Sequence, residues 1–134
     1  QQHGLPNMDE TRCYVTGHSM GGAGALYAAA TRTRRRFAAV VPVAPSGSAT
    51  HSADLKGVPV WAFHGTNDIV CPSTISERLI KDLWDLGVSS EDAKLSLIED
   101  CPAPLGWPRY SGHGTPRVVY NRTELWDWLL EQHL

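Results

Sequence analysis

Two apolar stretches in the middle of the chain restrict its fold more than any other feature. Phe37 to Ala44 reads FAAVVPVA and Val58 to His64 reads VPVWAFH, and neither stretch alternates between apolar and polar residues. Strands of this kind are covered on both faces, which is typical of parallel sheets flanked by helices. The sequence therefore predicts an α/β fold that contains these two stretches as buried parallel strands.

Further apolar patterns supply the other elements of such a fold. Additional strands are predicted over Arg12–Gly17 and in the segment KLSLIED, which begins at Lys94. Helices are predicted over Met20–Thr33, from Ser73 to a stop at Gly87, and over Arg122–Gln132. Residues 45–57 and Cys101 to Pro116 read as loops. The order of elements predicts an open sheet of about four mostly parallel strands, with right-handed crossovers, within a single domain that spans residues 1–134.

The composition excludes several classes of function. The chain has 134 residues, of which 42% are hydrophobic and 19% charged, as in an ordinary globular domain. A net charge of -2 gives no electrostatic basis for binding nucleic acid or an anionic membrane, and no apolar run approaches the roughly 20 residues that cross a bilayer. The basic run Arg32 to Arg36 reads as a solvated helix end. Three cysteines without CxxC or Cys/His spacing predict no metal site.

The segment Gly17 to Gly21, GHSMG, matches the G-x-S-x-G pattern. It lies where a predicted strand passes directly into a predicted helix, and this is the context of a nucleophile elbow. Glycines on both sides of such a turn let two backbone segments approach while the serine points outward. Ser19 is therefore the candidate nucleophile, and the N–H groups that begin the helix are suited to stabilise an oxyanion.

His113 is the strongest of six candidates for the base that a serine nucleophile requires. It lies between two glycines in SGHGTP, in a loop whose backbone we expect to be mobile and exposed, so that its imidazole reaches a neighbouring strand end. His18 directly precedes Ser19 but should project away from it, and a packing or supporting role is favoured. His64 ends a predicted strand near the site, where a structural role is favoured. The other three lie near the chain ends or in a polar loop: His3, His51 and His133.

Asp68 is the best candidate for the carboxylate that orients this base. It lies in FHGTNDIVCP, at the turn after the strand that begins at Val58. A buried acid at a strand end needs a partner, and an imidazole N–H is such a partner. Asp100, which follows the strand that begins at Lys94, is the alternative.

The order Ser19, Asp68, His113 is the order of nucleophile, acid and base in the α/β-hydrolase fold. With the segments DETRCYVTGHSMGG, RFAAVVPVAP, VPVWAFHGTNDIVCP and GHGTP, nearly the whole chain resembles the carboxyl-terminal portion of α/β-hydrolase serine esterases. The similar subgroup contains predicted peptidases and enzymes like polyhydroxybutyrate depolymerases and feruloyl esterases. The resemblance implies that Ser19 is the nucleophile, Asp68 the acid and His113 the base, and that the Met20 N–H is one oxyanion-hole donor. It implies a small-molecule ester substrate and no cofactor.

The resemblance also implies that the sheet is shorter than in a full α/β hydrolase. Strands that precede the elbow in the family, and the loop that usually supplies the second oxyanion donor, have no counterpart in the sequence. Three explanations are open: a fragment of a longer hydrolase, a minimal hydrolase with another second donor, or a sheet completed by another chain. An exposed, apolar first edge favours a homodimer that forms through this edge.

Two smaller predictions concern the surroundings of the site. Cys71 and Cys101 should both lie near the catalytic edge of the sheet. A disulfide between them would brace the loop that contains Asp68 (the acid loop) against the loop that contains His113 (the histidine loop). Two free buried thiols are the alternative. Trp107 and Tyr110 precede His113 and, with His18, are candidates for a substrate pocket. Packing beneath the loop is an equal alternative for the two aromatic residues.

The sequence thus predicts a serine hydrolase of the carboxylesterase type that works without metal or cofactor. A catalytically silent α/β-hydrolase fragment or subunit, with an incomplete oxyanion hole, is the alternative from another class. Peptidase or acyltransferase chemistry with the same three residues is a third hypothesis, because the pocket alone distinguishes these reactions.

Overall fold

Four parallel strands form one sheet in the computed structural model, which describes residues 7–31, 36–47 and 51–134. The strands are β1 (Tyr14–His18), β2 (Ala39–Val43), β3 (Val60–Gly65) and β4 (Ala93–Ile98). They lie side by side in the order β1-β2-β3-β4, and every neighbouring pair is parallel. The predicted fold class is confirmed.

Helices follow the strands and cover both faces of the sheet. They are α1 (Met20–Ala30), α2 (Thr74–Asp85), α3 (Pro116–Val119) and α4 (Thr123–Glu131). The prediction missed α3 and a short 3-10 helix over Ser52–Leu55, because elements of four residues are too short to show a periodic pattern. In the described ranges, none of the helices has the length and hydropathy needed to cross a bilayer.

The first predicted helix is shorter in the structure than in the sequence analysis. It ends at Ala30, where the Thr31 N–H donates to the Tyr27 carbonyl, and not at Thr33. Three parts of the sequence analysis lie outside the described residues: the predicted last residues of that helix, most of the basic run Arg32 to Arg36, and His3.

The core lies in two layers, one on each face of the sheet. The first layer joins the sheet to α1 and α2, and its fully buried residues include Leu26, Val40, Val60, Ile80 and Leu83. The second joins it to α3 and α4, through residues that include Val41, Phe63, Val119, Leu125 and Trp128. Every residue of β2 and β3 is buried. These strands read as continuous apolar runs because both of their faces are covered.

β1 lies at one edge of the sheet and β4 at the other. Within the described residues β1 pairs only with β2, and Thr16 at its middle is exposed. Pairing of a second copy along this edge stays a prediction, because edge strands present unpaired N–H and C=O groups to other chains.

We expect size-exclusion chromatography with light scattering to give a molar mass that rises towards twice the chain mass with increasing protein concentration. A lysine at an edge strand opposes such pairing, so Thr16→Lys on β1 should keep the chain monomeric. Leu97→Lys, on the exposed side of the opposite edge strand β4, is the matched control and should leave association unchanged. A mass that stays monomeric at every concentration contradicts the prediction.

Candidate active site

Ser19 occupies a strained turn between β1 and α1. Its φ is 59° and its ψ is -118°, a conformation that residues with a side chain rarely adopt. Two hydrogen bonds tie this turn to the end of β2: the Ser19 N–H donates to the Val43 carbonyl at 3.0 Å, and the Ser46 N–H donates to the Ser19 carbonyl at 3.0 Å. The strained backbone is therefore held from both sides, and Ser19 lies at the carboxyl edge of the sheet.

The glycines around Ser19 allow the strand and the helix to touch. A Cβ at Gly17 would collide with the Gly21 backbone, and a Cβ at Gly22 would lie 3.0 Å from the Pro45 Cα. Helix α1 starts directly after the serine, and the first N–H groups of a helix have no acceptor within it. The Met20 N–H is the first of these groups and lies next to Ser19 in the chain. The Met20 side chain is 80% exposed.

Asp68 lies in the turn after β3, and its carboxylate is completely buried. Oδ1 accepts the backbone N–H groups of Val70, at 2.8 Å, and Cys71, at 2.9 Å. Oδ2 accepts the Nδ1–H of His113 at 2.7 Å. These three donors offset the free energy that burial of a carboxylate costs.

His113 presents one defined tautomer to the site. Because a carboxylate only accepts hydrogen bonds, the contact with Asp68 places the proton on Nδ1 and leaves a lone pair on Nε2. The side chain of His113 is 7% exposed. The imidazole therefore has the orientation and tautomer that a general base requires.

The loop that carries His113 is buried and closely packed, so the expectation of a mobile, exposed backbone is wrong. Residues 112–115 are all buried. Gly112 has a φ of +76°, and a Cβ there would collide with the Asn67 backbone in the acid loop. A Cβ at Gly114 would collide with the Ala103 backbone. The two glycines serve close approach of backbone segments, and not mobility.

His18 contacts His113 more directly than the sequence indicated. Its Nε2–H donates to the His113 carbonyl at 2.9 Å, and the two ring centroids lie 4.5 Å apart. Burial, followed by the neighbouring His113, lowers the pKa of His18. His18 therefore supports the backbone of the histidine loop in its neutral form, and a role in binding substrate stays a prediction.

The Ser19 hydroxyl contacts the thiol of Cys71, with 3.9 Å between Oγ and Sγ. Across the described ranges, no hydrogen bond joins Ser19 Oγ to His113. In hydrolases without substrate, the hydrogen bond between a serine nucleophile and its base is often long or poorly aligned.

The predicted disulfide between Cys71 and Cys101 is not formed, and this prediction is corrected. Both cysteines are buried free thiols, and burial raises the pKa of each. Their sulfur atoms have different partners, since Cys71 contacts Ser19 and Cys101 Sγ lies 3.9 Å from Thr115 Oγ1. Asn67 provides a brace instead: its Nδ2–H donates to the Cys101 carbonyl at 3.0 Å, and its Oδ1 accepts the Cys101 N–H at 2.9 Å.

A buried histidine contacts the acid loop through the Cys71 carbonyl. His64 is completely buried, its Nε2 lies 2.8 Å from the Cys71 carbonyl oxygen, and its Nδ1 lies 2.8 Å from Ser76 Oγ. Sequence analysis favoured a structural role for His64 but missed Ser76. A signal for Ser76 exists: it shares the buried face of α2 with Leu79 and Leu83, where a serine needs a polar partner.

Trp107 and Tyr110 form an exposed aromatic ledge beside the histidine loop. Their rings are stacked, with centroids 5.6 Å apart and planes 11° apart, and they are 59% and 43% exposed. They line a surface cavity of about 330 Å³ together with Gly106, Pro108 and Arg109. The Tyr110 carbonyl accepts the His113 N–H at 3.1 Å, so the aromatic ledge is connected directly to the backbone of His113.

Three other residues that the sequence analysis considered as acid or base do not contact Asp68 or His113. Asp100 is exposed, while the His113 imidazole contacts Asp68. His51 and His133 are exposed as well. In the parts of the chain that the structure describes, no group of three His, Cys, Asp or Glu residues has the arrangement of a metal site.

Comparisons with known proteins identify similar sequences and folds. Residues 5–83 match the model of the family described as PET hydrolase-like. A solved structure of a thermostable esterase is 31% identical with a TM-score of 0.79, and the match covers 96% of this chain and 33% of that one. Esterase PE8 is 26% identical with a TM-score of 0.54, over 69% of this chain and 42% of that one.

More distant structures show the fold alone. Acylaminoacyl peptidase from Pyrococcus horikoshii is 18% identical with a TM-score of 0.58, over 94% of this chain and 24% of that one. No curated protein matched the chain. The chain spans about a third of the length of the thermostable esterase that it resembles.

The packing of Gly112 against Asn67 can be tested by its effect on stability. Alanine at a positive φ costs roughly 1–2 kcal/mol, and this cost applies equally at Gly112 and at Gly106, whose φ is +80°. A Cβ at Gly106 meets nothing within 4 Å, so Gly106→Ala is the matched control. We expect Gly112→Ala to lower the free energy of unfolding in urea by about 1–3 kcal/mol more than Gly106→Ala, because the acid loop must shift. Equal losses would contradict close packing of these two loops.

Proposed function

Because the chain belongs to the PET hydrolase-like family of α/β hydrolases, we propose that it is a serine hydrolase of the carboxylesterase type. The observation that carries this proposal is the 2.7 Å contact between the buried Asp68 carboxylate and His113 Nδ1, at the edge of the sheet where Ser19 occupies a strained turn. A nucleophile, a base of fixed tautomer and a buried carboxylate are the groups that acyl transfer requires.

The proposed reaction proceeds through an acyl-enzyme. Ser19 Oγ attacks the ester carbonyl while its proton moves to Nε2 of His113, and the Asp68 carboxylate stabilises the imidazolium that forms. The Met20 N–H donates to the oxyanion. His113 then gives the proton to the departing alkoxide, which leaves as the alcohol. In the second half, water loses a proton to His113 and attacks the acyl-enzyme, and the acid product leaves as Ser19 recovers its proton.

A second hypothesis is a catalytically silent hydrolase fragment or subunit. One observation favours it: in the described residues around Ser19, α1 is the one helix whose first N–H groups can donate to an oxyanion. Loss of one oxyanion donor costs about 100-fold to 1000-fold in rate. The two hypotheses therefore differ in turnover and not in the positions of the three site residues.

We expect the full chain to react with a fluorophosphonate probe at Ser19 and to hydrolyse p-nitrophenyl acetate. Ser19→Ala should abolish labelling, and Ser19→Ala and His113→Ala should each lower kcat by at least about 1000-fold, because the nucleophile or its base is lost. Ser90→Ala, an exposed serine between α2 and β4, is the control and should retain labelling and rate. Absence of labelling and turnover in the folded wild-type chain supports the silent alternative.

Substrate selection can be tested at the aromatic ledge. An apolar acyl or alcohol group that packs on Trp107 is worth roughly 1–3 kcal/mol. We expect Trp107→Ala to lower kcat/KM about tenfold for 1-naphthyl acetate and to leave ethyl acetate nearly unchanged. Trp126→Ala removes a comparably exposed tryptophan on α4 and serves as the control. An equal effect of Trp107→Ala on both esters would rule out contact between the aromatic ledge and the substrate.

A further inference from the structure

His64 contacts the acid loop and Ser76 contacts His64, and neither residue takes part in the proposed proton transfers. His64 lies at the carboxyl end of β3, four residues before Asp68, and Ser76 lies in the first turn of α2. Both side chains are completely buried. Buried polar groups of this kind cost stability unless every one of them has a hydrogen-bond partner, so their arrangement restricts the residues around them.

The hydrogen bonds of His64 specify a single tautomer. The Cys71 carbonyl, 2.8 Å from Nε2, can only accept, so Nε2 carries the proton. Nδ1 is then an acceptor, and the Ser76 hydroxyl, at 2.8 Å, donates to it. Ser76 therefore stabilises the tautomer in which the His64 Nε2–H points towards the acid loop.

The peptide units of Cys71 connect His64 to Asp68. The Cys71 carbonyl accepts from His64, and the Cys71 N–H donates to Asp68 Oδ1 at 2.9 Å. Nε2 of His64 also lies 3.6 Å from Asp68 Oδ2, the oxygen that accepts the Nδ1–H of His113. His64 thus contacts the acid loop at the Cys71 carbonyl and lies close to the carboxylate oxygen that binds His113.

We propose that His64 and Ser76 form a positioning pair for Asp68: Ser76 donates to Nδ1 and holds the ring in place, and the His64 Nε2–H holds the Cys71 peptide in the position that directs the carboxylate at His113. The inference rests on the proposed function, but the contact that it explains exists with or without turnover. His64 and Ser76 are positioning residues, because neither touches the reacting atoms.

His64 performs this role as a neutral imidazole. Burial lowers its pKa and is the largest influence on it. Titratable groups act on it from the acid loop, the first turn of α2, the elbow and the histidine loop: Asp68, Glu77, His18 and His113. Its sheet neighbour on β4 is the apolar Leu97. A neutral His64 donates to the acid loop and accepts from Ser76, whereas a protonated one would donate to both partners and reverse the Ser76 hydrogen bond.

The test uses the full chain and proton NMR with ¹⁵N-labelled histidine. A short hydrogen bond between His113 Nδ1 and Asp68 gives a strongly downfield proton resonance, which His113→Ala should remove and thereby assign. We expect Ser76→Ala and His64→Leu to weaken or abolish this resonance. His64→Gln, whose amide N–H can reach the Cys71 carbonyl in place of Nε2–H, should retain more of it than His64→Leu.

Kinetics give a second readout. Misplacement of a catalytic group by about 1 Å can cost a hundredfold in rate, so we expect kcat to fall about tenfold in Ser76→Ala and about a hundredfold in His64→Leu, with little change in KM. Ser96→Ala is the control, because it removes a partly buried serine hydroxyl that accepts the Trp61 Nε1–H and does not contact the acid loop. It should leave both the resonance and kcat unchanged.

Two results would overturn the inference. One is an unchanged downfield resonance in folded Ser76→Ala and His64→Leu. The other is a His64 in the wild-type chain that carries its proton on Nδ1, which the nitrogen shifts of labelled histidine report even where the variants fail to fold. A wild-type chain without turnover whose His113 resonance disappears in Ser76→Ala would contradict the proposed function and support the positioning pair.

Discussion

The buried carboxylate of Asp68 is the group on which the arrangement of the site depends. It has no contact with solvent, and three N–H groups offset its burial: two from its own loop and one from His113. Loss of the His113 N–H would leave the buried Oδ2 without its hydrogen-bond donor, which costs more than a typical hydrogen bond contributes. The acid loop and the histidine loop are therefore coupled, because the acid loop supplies the carboxylate that accepts and the histidine loop supplies the N–H that donates.

Close backbone packing extends this coupling to the rest of the carboxyl edge. Gly112 and Gly114 bring the histidine loop against the acid loop and against the segment after β4, where a side chain would not fit. Asn67 joins the same two regions through the backbone of Cys101. His18 holds the histidine loop from the elbow through the His113 carbonyl. The elbow, the acid loop and the histidine loop thus form one network, in which the free thiols of Cys71 and Cys101 are packing groups.

Much of the fold was predictable because its signals are local. The continuous apolar runs of β2 and β3, the small residues of α1 and the apolar face of α2 each follow from how a strand or helix is covered. The glycines around Ser19 also predict a tight turn between a strand and a helix, and the loops that contain Asp68 and His113 favoured these two residues as acid and base. The character of the histidine loop was predicted wrongly, because a sequence does not show whether a glycine provides flexibility or close approach. The Cys71–Cys101 bridge was predicted from proximity alone, but proximity does not set the direction of the two sulfur atoms.

The sequence by itself determined a parallel sheet covered on both faces, a serine in a glycine-framed turn, and the residues available to act as acid and base. These properties depend on the pattern and order of residues along the chain. Tertiary structure alone decided which polar atoms meet: Asp68 with His113, Asn67 with Cys101, and Ser76 with His64 across a helix and a strand. The reason is physical. Each of these contacts joins groups from different elements over a few ångströms. Its formation depends on how helices and loops pack on the sheet, and this packing involves residues from the whole core and not from one segment of the sequence.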